Sequence, residues 1–166
     1  MARTTYLIAL GSNRRGRHGG PADEVRAALG TIGAQGAAPV MTSAPVGPSI
    51  RRFANTVAMV ESALDPPAML ARLKAVERDF GRRRGQRWGA RVIDLDIVLW
   101  SGGMWRSPAL TIPHAAFRNR DFVLRPLLAL APGWRDPISG LSIRQLASRL
   151  TRTRPVPRSG RSGAGP

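Results

Sequence analysis

The chain predicts an α+β domain built on an antiparallel sheet, and three observations carry that expectation. Apolar runs of strand length alternate with two amphipathic stretches of helical period, in the order β-α-β-β-α-β. Clusters of Gly, Pro, Ser and Asn separate the runs. The 166 residues are 43% hydrophobic, enough chain for one core and an ordinary composition for a globular domain.

Tyr6-Leu7-Ile8-Ala9-Leu10 reads as a short buried strand ending at the turn cluster Gly11-Ser12-Asn13. A polar, glycine-rich loop from Arg14 to Gly20 leads to a helix opened by Pro21, with Asp23 and Glu24 at its positive end. Val25, Leu29 and Ile32 form its stripe, and Gly33 is its stop. Pro39 to Ser43 is a second strand. After a loop from Ala44 to Arg52, Phe53 to Glu61 is a third, rich in valine and threonine. Asp65 caps the next helix, Pro66 sits in its first turn, Met69, Leu70, Leu73, Val76 and Phe80 make its stripe, and Gly81 ends it. The arginine-rich loop Arg82 to Arg91 feeds a final strand. Its alternation predicts Ile93, Leu95, Ile97 and Leu99 on one face and Asp94, Asp96, Val98 and Trp100 on the other, and its apolar flanks suggest a central position. This order is the ferredoxin-like, or split βαβ, pattern, with both helices on one face of the sheet. C-terminal additions follow: a hairpin or extended piece from Met104 to Ile112, a helix from about Asp121 to Leu130, and a last helix from about Ser142 to Leu150. Residues 1–150 read as one domain and 151–166 as a disordered basic tail with Val156 as its only bulky apolar residue.

Composition excludes several classes. Without cysteine there is no disulfide scaffold, thiolate zinc site or thiol nucleophile. No apolar run approaches the ~18 residues of a membrane span, and Met1 to Thr5 passes directly into a strand, so a cytoplasmic protein with no membrane partner is expected. The net charge is +16, nearly all from arginine, since Lys74 is the only lysine. Such a field attracts polyanions, although an arginine bias of genomic origin accounts for the excess equally well.

Asp94 and Asp96 stand two residues apart on one strand, so they point the same way with Cα atoms ~6.5–7 Å apart. Facing acids in an apolar setting repel unless a cation sits between them, and hard oxygen ligands favour Mg²⁺. The plainer alternative is a pair facing solvent on an edge strand. Arg82, Arg83, Arg84, Arg87 and Arg91 offer guanidinium forks that match phosphate oxygens, on a loop with glycines at 81, 85 and 89; a run of charge is also what a solvated face looks like. His114 and Arg120 lie in Ile112-Pro113-His114-Ala115-Ala116-Phe117-Arg118-Asn119-Arg120. A lone histidine after proline is more often a capping or packing residue, and Phe53 and Phe122 are as readily core as ligand platform. Asn55 is odder, because an amide within a β-branched strand needs partners and can pair donor and acceptor with a heterocycle edge.

Taken together, these residues resemble the 6-hydroxymethyl-7,8-dihydropterin pyrophosphokinase family of folate biosynthesis, from Tyr6 to about Leu146. The strongest piece is Arg87-x-Gly89-Ala90-Arg91-x-x-Asp94-Leu95-Asp96-Ile97-Val98. It is joined in order by Gly11-Ser12-Asn13, by Gly47-Pro48 ahead of Phe53-x-Asn55, by Glu77 with Gly81-Arg82, and by Pro113-His114 with Asn119-Arg120-x-Phe122. The resemblance implies transfer of pyrophosphate from ATP to the pterin hydroxymethyl group by a monomer that needs no nucleic acid. By the same resemblance Asp94 and Asp96 would hold two Mg²⁺ ions, and Arg82 and Arg91 would engage the triphosphate from a mobile loop that also carries Arg84 and Trp88. His114 and Arg120 would contact ATP. Phe53 and Phe122 would sandwich the pterin, Asn55 would bond its edge with help from Ser43 and Val46, and Glu77 would lie near both substrates. Ala90 stands where proline is usual, Ile50-Arg51-Arg52 where Gln-Pro commonly precedes the aromatic residue, and Arg14 where an apolar residue is common. The rival is an RNA-binding module, which a ferredoxin-like sheet and +16 charge also suit. Against it, the chain has no aromatic stacking motif and a sheet that binds RNA has no use for paired acids.

Overall fold

The apolar run at the start of the chain becomes the middle of the sheet. In the computed structural model, which describes residues 2–43, 52–81 and 91–152, β1 (Thr4–Ser12) pairs antiparallel with both β4 (Phe53–Ser62) and β5 (Asp94–Trp100). β4 in turn pairs antiparallel with two short strands, β2 (Gly36–Ala37) and β3 (Met41–Ser43). The order across the sheet is therefore β2/β3, β4, β1, β5. α1 (Pro21–Thr31) links β1 to β2, and α2 (Pro66–Gly81) links β4 to β5. A separate hairpin, β6 (Trp105–Ser107) and β7 (Leu110–Ile112), precedes a 3₁₀ turn at Phe117–Asn119, α3 (Asp121–Leu130) and α4 (Ile143–Arg152).

The helices start and stop where their residues dictate. Asp65 Oδ1 accepts the Ala68 amide at 3.0 Å, satisfying one of the free donors at the start of α2. α1 stops ahead of Gly33, whose φ of +69° is the left-handed conformation glycine adopts without cost.

Side-chain alternation sends apolar groups to both faces. Tyr6, Ile8 and Leu10 of β1, with Ala54, Ala58 and Val60 of β4, join Val25, Ala28 and Ile32 of α1 and Met69, Leu73 and Phe80 of α2 in one core. Leu7 and Val57 face the other way, against Phe117, Val123, Leu124, Leu127, Ile143 and Leu146. α1 and α2 thus share one face, as the element order predicts, and α3 and α4 cover part of the opposite face.

Three sequence expectations change. β5 lies at the edge of the sheet, not in its centre: it pairs with β1 alone among the described strands. Its apolar character comes from helices above and below, so apolar flanks did not distinguish a central strand from a covered edge. Its alternation also breaks. Leu7 pairs with Leu99 but Ile8 pairs with Ile97, so Val98 is an extra residue, a β-bulge. Val98 and Leu99 consequently both join the α3/α4 core, while Trp100 turns to the α1/α2 side and stacks on Tyr6 at 6.1 Å. Third, α4 runs to Arg152, so the first two residues of the expected tail are helical; residues 153–166 lie outside the described residues. β2 has no counterpart in the sequence reading.

One buried ion pair ties the C-terminal additions together. Asp136 is fully buried, and its carboxylate accepts from Arg118 Nε at 2.6 Å and Nη2 at 2.7 Å, from Ser139 Oγ at 2.6 Å and from the Ile138 amide at 3.1 Å. Burial alone would raise its pKa, but these bonds and the Arg118 charge outweigh burial and lower it to about 2. A carboxyl held below its unfolded value adds stability above the unfolded pKa and loses it as pH falls through the folded one. Asp136→Asn is therefore expected to cost roughly 2 kcal/mol or more at pH 7, with the deficit shrinking between about pH 4 and pH 2. Urea unfolding of both proteins across that range checks it; a deficit independent of pH would remove the electrostatic account.

Candidate active site

The face of the sheet that α3 and α4 leave uncovered forms the floor of a cavity of about 600 Å³. Register fixes what lines it. Gly11 of β1 lies directly between Asn55 of β4 and Asp94 of β5, and Ala9 lies between Val57 and Asp96. Directly opposed side chains in an antiparallel sheet share a face, so Asn55, Asp94 and Asp96 rise from the same surface with only glycine and alanine between them. A Cβ on Gly11 would stand 3.0 Å from Asn55 Oδ1. Glycine here keeps the floor low and the amide in place. On the β3 side the row continues to Met41, and Ser43, paired with Phe53 two residues on, also lines the cavity.

The wall opposite comes from the start of α3. Arg120, immediately before the helix, and Phe122 and Val123 in its first turn line the cavity. The Arg118–Asp136 pair lies two residues before Arg120 and anchors this segment. The Arg120 guanidinium carbon stands 5.7 Å from the centre of the Phe122 ring. Of the four phenylalanines, Phe80 and Phe117 are buried, whereas Phe53 and Phe122 remain 39% and 45% exposed, both in the cavity lining. Exposed aromatic faces at the mouth of a concave site suit a flat ligand.

The acids stand on the β5 side of the floor. Asp94 is 60% exposed, so the pair is a solvated set of hard oxygens and not a buried one. Arg91 Nη1 lies 3.6 Å from Asp94 Oδ1 and 3.9 Å from Glu77 Oε2. No group of three or more His, Cys, Asp or Glu side chains fit to hold a metal occurs among the described residues. Two carboxylates on one strand nevertheless fit Mg²⁺, which is commonly held by one or two carboxylates and completed by substrate phosphates and water.

The cavity thus gathers Ser43, Phe53, Asn55, Arg91, Asp94, Asp96, Arg120 and Phe122. His114 is not in its lining. The His114 amide donates to the carbonyl of the bulged Val98 at 3.0 Å, and its Nδ1 accepts the Ala116 amide at 3.2 Å, which leaves Nε2 to carry the proton of a neutral ring. Glu77 is likewise outside the lining. It is buried beneath β5, where Oε2 accepts the Leu95 amide at 3.4 Å. Val46, Arg82, Arg84 and Trp88 lie outside the described residues.

On local grounds the sequence favours a simple turn at Gly11-Ser12-Asn13 over a support for an active-site loop. All three residues line the cavity, and Ser12 closes β1. Its buried hydroxyl donates to the Val92 carbonyl at 2.6 Å, fastening the approach to β5 two residues before Asp94. A glycine inside a strand pattern was the available signal for close approach.

Small side chains between an amide and two acids, with open aromatics and arginines above, make an α+β site suited to a flat ligand and a phosphate-bearing one. Residues 7–132 match the model of the 7,8-dihydro-6-hydroxymethylpterin-pyrophosphokinase (HPPK) family, and the chain belongs to that family. It is 38% identical over 144 residues to the 2-amino-4-hydroxy-6-hydroxymethyldihydropteridine pyrophosphokinase of Pseudomonas aeruginosa, covering 82% of this chain and 86% of that one. It is 39% identical over 104 residues to the Synechocystis protein of the same name, covering 63% of this chain and 53% of that one. A crystal structure of wild-type Plasmodium falciparum HPPK-DHPS superposes on 89% of this chain with a TM-score of 0.69 at 14% identity, and the match spans 45% of that longer chain. At that identity the likeness concerns the fold.

Ser12→Ala removes a buried donor from the Val92 carbonyl. It is expected to cost about 1–3 kcal/mol, read as a lower urea midpoint with an unchanged m-value. An unchanged midpoint would mean that another donor reaches that carbonyl.

Proposed function

We propose that this chain transfers the pyrophosphoryl group of ATP to the hydroxymethyl group of 6-hydroxymethyl-7,8-dihydropterin, releasing AMP, in folate biosynthesis. Family membership and the activity named for its relatives support the reaction. The observation that best supports the site is the row Asn55–Gly11–Asp94, which sets a ring-edge amide and a metal-type acid on one floor. The strand order with its two helical crossovers supports a ferredoxin-like core. The reading extends to one domain over residues 1–150, acting as a cytoplasmic monomer that requires no nucleic acid. No helix among the described residues is long and apolar enough to cross a membrane.

Each side chain has a task. Phe53 and Phe122 hold the pterin ring between apolar faces, and Asn55 pairs its amide with the ring edge, aided by Ser43 and the backbone of Val46. Asp94 and Asp96 hold two Mg²⁺ ions. When bound, Mg²⁺ neutralises and orients the triphosphate. Arg91 and Arg120 take phosphate oxygens, with Arg82, Arg84, Trp88 and His114 on the nucleotide side. The hydroxymethyl oxygen forms its bond to the β-phosphorus as the bond from that phosphorus to the α,β-bridging oxygen breaks; AMP leaves with that oxygen, and the hydroxyl proton is lost. The protein's part is alignment and charge neutralisation, the main requirements of phosphoryl-type transfer.

Incubating the protein with Mg²⁺, ATP and 6-hydroxymethyl-7,8-dihydropterin should yield AMP and the pterin diphosphate. ADP formation, or AMP no faster than in a blank, would exclude the reaction. Asp94→Ala and Asp96→Ala should each lower kcat by about 10² or more with native circular dichroism. Chelation of the metal should abolish turnover and its restoration recover it; near-normal rates in both variants would remove their ligand role. Asn55→Ala and Phe122→Ala should act chiefly through KM for the pterin, while KM for ATP stays close to that of the parent. An equal rise in both constants would contradict the division of the cavity.

A further inference from the structure

We propose that Lys74, the only lysine in the chain, is a positioning residue that acts through Glu77 on Arg91. This rests on the phosphate-side reading of the cavity given above. Glu77 is 6% exposed, and a carboxylate so placed needs cations and donors. Among the described residues, two cations lie within 4 Å of it: Lys74 Nζ at 2.9 Å from Oε1, and Arg91 Nη1 at 3.9 Å from Oε2. Oε2 also accepts the amide of Leu95, the residue between the two acids. β5 pairs with β1 alone among the described strands, so Glu77 bonds an amide on the open edge of β5, at the residue between Asp94 and Asp96.

Lys74 and Glu77 sit three residues apart on α2. Lysine ahead of glutamate is the poorer order for helix stability, so local helix energetics do not account for the pair. Its consequence is elsewhere. Oε1 is buried and accepts no hydrogen bond, so the Lys74 charge 2.9 Å away is what compensates it; Oε2 accepts the Leu95 amide, and Arg91 rests between Glu77 and Asp94 without committing to either, at 3.9 and 3.6 Å. Without Lys74, Arg91 would be the one cation left beside Glu77 among the described residues. It would close on Glu77 and withdraw from the cavity that it lines. Lys74 thus sets how much of Arg91 is available to a bound polyphosphate, although it does not line the cavity itself.

Two measurements test this. Lys74→Met should lower kcat/KM for ATP about tenfold or more at an unfolding temperature close to that of the parent, with the KM for the pterin little changed, and Lys74→Arg should recover most of the loss. In an Arg91→Ala background the same Lys74→Met change should add almost nothing. Full additivity of the two losses, or a Lys74→Met enzyme indistinguishable from the parent, would overturn the proposal. If Lys74→Met does not fold, the folded parent, acetylated at this amine with an N-hydroxysuccinimide ester, replaces it in the same comparison. The second measurement needs no turnover. The rate of that acetylation, followed by mass at one pH, should be several-fold slower in the parent than in Glu77→Gln, because the ion pair shields the amine. Equal rates would overturn the proposal even in an active enzyme. Absence of AMP from the parent would instead overturn the reaction, and the acetylation rates would still decide the contact.

Discussion

The double pairing of β1 is the constraint on which the rest depends. A central strand gives one face to each core, and β1 spends its apolar side chains, Tyr6, Ile8 and Leu10, on α1 and α2. Its other face is divided. Leu7 belongs to the α3/α4 core, and beyond it Ala9 and Gly11 carry almost nothing above the backbone. That change from large to small along one strand turns a packed surface into a cavity floor. Neighbouring strands lie about 4.8 Å apart, so Asn55 and Asp94, one strand to either side of Gly11, stand roughly 10 Å apart at the backbone.

What lies over the floor depends on interactions remote from it. Arg120 and Phe122 enter because the segment before α3 is pinned, and Asp136 pins it by holding Arg118 through two nitrogens while bonding two groups of its own loop. The acids depend on β5, which is held along one edge by β1, at its approach by the Ser12–Val92 bond, and at its open edge by Glu77. The Val98 bulge contributes as well. It offers its carbonyl to the His114 amide and so ties the segment leading to α3 back onto β5.

Much of this frame was legible in the sequence, for identifiable reasons. The stripe Met69, Leu73, Val76 and Phe80 located α2, and Asp65 with Pro66 located its start, because helix period and capping are local properties. The Asp-x-Asp spacing placed both acids on one side of a strand for the same reason. Whether that strand was central or covered at an edge was not local: helices on both faces make an edge strand as apolar as a central one. The bulge was hidden because Ile97-Val98-Leu99 is apolar throughout, and either alternation satisfies such a run. Phe53 and Phe122 could not be told from Phe80 and Phe117 by type; only the register of β4 and the start of α3 open the first two to the cavity. The Arg118–Asp136 pair joins residues 18 apart through a loop that has no periodicity to reveal it.

Charge gives the last constraint on how the cavity works. The chain carries +16 overall, which draws polyanions toward it from a distance. Inside the cavity the balance is different: among the described residues its charged lining is two arginines, Arg91 and Arg120, against two acids, Asp94 and Asp96. Arg91 stands 3.6 Å from Asp94, so part of that positive charge is already engaged. A triphosphate approaching this floor is attracted by the molecule and repelled by the two side chains beneath it. A divalent cation held by Asp94 and Asp96 would reverse the second effect and leave the first intact. Paired acids beneath a basic field favour a polyanion that brings a cation over a bare one, which a purely basic surface does not do. This favours a small metal-bearing nucleotide over RNA as the occupant of this face.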